Sequence, residues 1–140
     1  MQAAVQHGPE TTLPGPFDTV MGGLRCGEVS QTAFATLSTL VDGYVAIEDD
    51  WAYEAIRALA RPSEGDAAVA AGASGAASLG GLIATLYDAS LDDFQSHLAL
   101  GPDSRVMAIV TEGVTEPEVF ERALAAPSTL QSREAQPEEP

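Results

Sequence analysis

At 140 residues and 45% apolar content, the chain is sized for one domain and is too apolar to be wholly disordered. Its formal charge of −15, from 21 acidic against 6 basic residues, disfavours nucleic acid and anionic membrane surfaces as partners. Every basic residue is an arginine, so no side chain here can form a Schiff base with a carbonyl compound. Cys26 is the only cysteine, which rules out an internal disulfide and fits a reducing, cytoplasmic setting. No basic and apolar leader opens the chain. The uncharged stretch 67–86 is mostly Ala, Gly and Ser, which is too weakly hydrophobic for a membrane span.

In chain order, residues 1–16 carry three prolines and two glycines and predict an extended connecting segment. Ser30 can cap a helix over about 31–41, with Ala33, Phe34, Leu37, Leu40 and Val41 on one face. Tyr44–Ile47 reads as a strand. Asp49 and Asp50 suit the positive end of a helix that runs to about Ala60 and stops near Pro62. Ala67–Ala70 reads as a buried strand, Ser74–Ala76 as a turn, and Leu79, Leu82, Ile83 and Leu86 as one face of the next helix. A short helix is expected over Leu91–Leu98. Val106–Val110 is an uninterrupted apolar run of the kind found in central parallel strands. Thr115-Glu116-Pro117-Glu118 fits a capping box before a helix with Val119, Phe120, Ala123 and Leu124 on one face. Residues 126–140, rich in Pro and Glu, predict a disordered acidic tail.

The alternation implies an α/β portion over 17–125, a partial three-layer arrangement around a mostly parallel sheet. Ligands of such sheets sit beyond the carboxyl ends of the strands. Three segments qualify. Met21-Gly22-Gly23-Leu24-Arg25-Cys26 has a glycine pair that permits either an ordinary turn or close approach to a ligand. Gly72-Ala73-Ser74-Gly75-Ala76 can cradle an anion or simply let a helix pack closely on its strand. Thr111-Glu112-Gly113 offers a hydroxyl that can face a ring nitrogen or bond its own backbone in a turn. The two histidines, His7 and His97, are far apart, and no metal-ligand spacing stands out.

Taken in order, Thr19-Val20-Met21-Gly22-Gly23-Leu24-Arg25-Cys26-Gly27-Glu28, then Gly72-Ala73-Ser74-Gly75-Ala76, then Val110-Thr111-Glu112-Gly113-Val114-Thr115-Glu116-Pro117, the chain resembles diaminopropionate ammonia-lyase. That family belongs to the pyridoxal-phosphate enzymes related to threonine dehydratase and the tryptophan synthase β-subunit. The resemblance covers about residues 10–125. It implies that Thr111, with Glu112 and Gly113, lies at the pyridine nitrogen of pyridoxal phosphate. It also implies that Met21, Gly22, Gly23 and Cys26 form the mobile substrate-side loop, and that Ser74 and Gly75 match the Ser-Gly of the family's Gly-Glu-Ser-Gly-Ala turn. Ala73 stands where that turn has Glu. The Schiff-base lysine and the phosphate loop belong to parts of the pattern that this sequence lacks. The expectation is therefore a fragment of an α,β-eliminating lyase that is silent alone. The alternative is a non-enzymatic interaction module or half-enzyme, completed by a lysine-bearing partner chain or a homo-oligomer.

Overall fold

The computed structural model describes residues 1–130. Among the described residues the α-helices are, in order, α1 (Gln2–His7), α2 (Gln31–Leu40), α3 (Asp49–Ala60), α4 (Ala73–Tyr87), α5 (Asp92–His97) and α6 (Pro117–Ala125). Single 3₁₀ turns lie at Gly22–Leu24 and Ala89–Leu91. Among the described residues there is no β-strand.

This overturns the α/β sheet expected from the sequence, and the reason is one of partners. A strand exists only where a neighbour supplies a ladder of N–H and C=O groups. Of the three runs read as strands, Ala67–Ala70 has a single backbone anchor, the Val69 N–H donating to the Leu59 carbonyl at the end of α3 (2.8 Å), and Tyr44–Ile47 has none within the described residues. Val106–Val110 makes no backbone-to-backbone hydrogen bond at all within the described residues. Apolar content at these positions signalled a preference for burial. It did not supply the pairing partner on which a sheet depends.

The helices follow their termini. Ser30 caps α2 by accepting from the Ala33 N–H at 3.3 Å, yet α2 buries none of its residues. Its apolar face stays largely exposed at Leu37, Leu40 and the C-cap Val41. Asp49 and Asp50 occupy the first turn of α3, where carboxylates meet the positive end of the helix dipole. Trp51, Ala52, Glu54, Ala55 and Ile56 are buried along this helix. α6 opens with Pro117 at its first position, which makes Glu116 the N-cap, so the expected capping box with Thr115 does not form. Residues 2–7, expected to be extended, form α1, which stops where Gly8 adopts a φ of 104°.

α4 packs Leu79 and Ile83 against the core as expected, but its fully buried residues are different ones. It begins at Ala73, so the predicted turn at Ser74–Ala76 is its first helical turn. Its buried residues are the small ones, Ala73, Gly75, Ala76, Gly80, Gly81, Ala84 and Thr85, while Leu86 and Tyr87 are exposed. The cause is the close approach of α3. A Cβ on Gly80 would lie 2.9 Å from the Trp51 carbonyl oxygen, so only a side-chain-free surface lets the helices meet. The core that results is thin: Met21, Ile56 and Val119 with six alanines.

α6 is clamped to α3 by charge. Arg57 Nη1 donates to the Ala123 carbonyl at 2.6 Å and Arg61 Nη2 to the Leu124 carbonyl at 3.2 Å, satisfying carbonyls that the last turn of α6 leaves free. Arg57 also pairs with buried Glu54 at 2.7 Å. Glu54 then accepts from Ser128 Oγ at 3.1 Å and from the Thr129 N–H. The first residues of the expected tail, 126–130, thus fold back onto α3; the rest of it, 131–140, lies outside the described residues.

Candidate functional site

The start of α4 is the point where the three candidate segments meet. Asp49, at the start of α3, accepts from the Thr19 hydroxyl and from the Val20 N–H (3.0 Å), which fixes the approach to the 3₁₀ turn at Gly22–Leu24. Arg25 folds back on the same segment, its Nε donating to the Thr19 carbonyl at 2.8 Å. Gly23 N–H then donates to Ser74 Oγ at 2.8 Å, across 51 positions of sequence. The first turn of α4 is packed in turn on Glu112 and Gly113. A Cβ on Gly72 would stand 2.5 Å from the Gly113 carbonyl oxygen, and one on Gly75 would stand 2.4 Å from the Glu112 carbonyl oxygen. The glycines at 72 and 75 thus serve close packing of α4 on the 112–113 segment.

Between these segments lies a cleft of about 60 Å³, lined by Gly22, Gly23, Ser74, Glu112 and Glu116 among others. The Glu112 carboxylate sits beside the opening of α4, with Oε1 3.0 Å from the Cβ position of Gly72 and Oε2 3.6 Å from that of Gly23. The free N–H groups of a helix start favour such an anion. Glu116 Oε1 stands 3.1 Å from the Cβ position of Gly22, so two carboxylates flank the glycine pair. No basic side chain lines the cleft.

The predicted residues divide accordingly. Gly22, Gly23, Ser74, Gly75, Glu112 and Gly113 are brought together. Thr111 is not with them: it is exposed and does not line the cleft. Cys26 is exposed and likewise outside the cleft. Met21 is buried in the core and lines a second, larger cavity of about 680 Å³ that runs past Asp18, Thr19, Tyr44 and Asp49. His97 ends α5, exposed, beside the negative end of that short helix. Two further residues contribute, neither of them among the expected site residues: Asp49, a helix start in sequence, holds Thr19 and Val20, and Glu116, within the resembling 110–117 segment, flanks Gly22.

The Glu54 carboxyl, on α3 and away from the cleft, is shifted by its surroundings. Burial pushes the Glu54 carboxyl up, but the Arg57 guanidinium, the Thr129 N–H and the Ser128 hydroxyl outweigh it and hold the group below its ordinary value. The described residues contain no cluster of three or more His, Cys, Asp or Glu side chains placed to hold a metal. No helix among them is long and apolar enough to cross a membrane.

Pyridoxal phosphate, the cofactor implied by the resemblance, does not fit the cleft as this chain builds it. Small-molecule sites enclose roughly 300 Å³ or more, against about 60 Å³ here. The two carboxylates would repel a phosphate dianion, and the chain contains no lysine to hold the aldehyde.

No family model matches the chain. It is 32% identical over 109 residues to the diaminopropionate ammonia-lyase of Escherichia coli strain K12, a match covering 78% of this chain and 27% of that protein. It is 28% identical over 120 residues to the diaminopropionate ammonia-lyase of Salmonella typhimurium strain LT2, covering 85% of this chain and 30% of that protein. The chain thus spans less than a third of the length of the curated relatives it matches, and it is related, distantly and in part, to the diaminopropionate ammonia-lyases.

Proposed function

We propose that this chain carries the substrate-side corner of an ammonia-lyase of the diaminopropionate type and does not itself turn over an amino acid. The observation that carries the reading is the convergence on one cleft. Segments around residues 22, 74 and 112, which bear the resemblance and lie far apart in sequence, are joined by the Gly23–Ser74 hydrogen bond and by the glycine contacts to Glu112 and Gly113. In the enzymes of this type pyridoxal phosphate acts as the electron sink for elimination. Here the chain's own residues position a loop against the start of α4 and place carboxylates beside it. The amine that must hold such a cofactor has no source in a sequence without lysine, the amino terminus apart.

The test mixes the purified full chain with pyridoxal phosphate and diaminopropionate. The expected outcome is no pyruvate above a protein-free control, and no borohydride-fixed adduct on any side chain. Sustained pyruvate release by the chain alone refutes the reading.

A second reading, of a half-enzyme that needs another chain, is favoured by a specific feature. Apolar side chains that a closed fold would cover stand exposed, most densely between Val106 and Val110.

A further inference from the structure

We draw no further inference here: the strongest candidate, the cavity of about 680 Å³ that Asp18, Tyr44, Glu48 and Asp49 line beside α4, carries nothing, because no buried unpartnered side chain among the described residues accompanies its acidic groups to point to a ligand and nothing in the structure shows what covers its open side.

Discussion

Replacing Gly75 with alanine tests the convergence at the start of α4 directly. The added methyl would sit 2.4 Å from the Glu112 carbonyl oxygen and 2.9 Å from its amide nitrogen. These are backbone atoms, so no flexible side chain can swing away. Either α4 or the 111–113 segment must move. Overpacking of this kind costs about 1–3 kcal/mol, and rigid backbone obstacles favour the upper half of that range. Alanine regains up to about 1 kcal/mol of helix propensity over glycine, though less in the first turn. A net loss of about 2 kcal/mol corresponds to a fall in Tm of roughly 6–8 °C for a chain of this size. Gly113→Ala is the matched control, since its Cβ would meet only the Ala70 carbonyl oxygen, at an ordinary 3.9 Å. Thermal unfolding followed by far-UV circular dichroism measures both variants side by side. Should Gly75→Ala melt with the wild type, or no lower than Gly113→Ala, the packing of α4 on Glu112 is not as described here.

Glu54→Gln should flatten the acid limb of the stability profile. The Glu54 carboxyl is held below its ordinary value in the folded chain, so its contribution is present above the ordinary carboxyl range of about 4.3 and is lost as the pH falls through the lower folded value; urea titrations between neutral and acid pH read the difference. Arg57→Ala removes the donor to the Ala123 carbonyl and strips Glu54, which is only 4% exposed, of its cation; a loss of about 2–3 kcal/mol is expected, with faster amide exchange in α6 and around Thr129. Ser30→Ala removes the cap of α2 at a cost of about 1 kcal/mol to that helix; because α2 buries nothing, the loss should appear as local fraying in amide exchange and hardly at all in the global melt. Ser74→Ala deletes the acceptor for the Gly23 N–H, and exchange at that amide should accelerate about fivefold, the equivalent of one hydrogen bond near 1 kcal/mol.

The helices were legible where their ends were written in the sequence. Ser30, the Asp49–Asp50 pair and Pro117 each act through the backbone of their own first turn, so local reading located α2, α3 and α6 within a residue or two. The supposed strands failed because strand formation is a property of pairs. Nothing within Tyr44–Ile47 or Val106–Val110 says whether a neighbouring ladder exists. The site was half legible for the same reason. Glycines at 22, 23, 72 and 75 announce close approaches without naming what approaches them. The partners, Ser74 and Glu112, were singled out by resemblance to a family pattern and tied together only by the fold. Thr111, the third residue that the family pattern singles out, stands exposed and outside the cleft.

The two kinds of contact made by α4 link these outcomes. Leu79 and Ile83 pack against the core, as their helical spacing predicts, while Leu82 is half-buried and Leu86 is exposed. The residues buried outright are mostly glycine and alanine, because a side-chain-free surface lets α3 come within reach of Gly80 and lets Glu112 come within reach of Gly75. A fully covered Leu or Ile side chain adds about 1.5–3 kcal/mol. A helix whose tightest contacts are made by its glycines adds less than that at each contact, and the core it closes is accordingly built mostly of alanine.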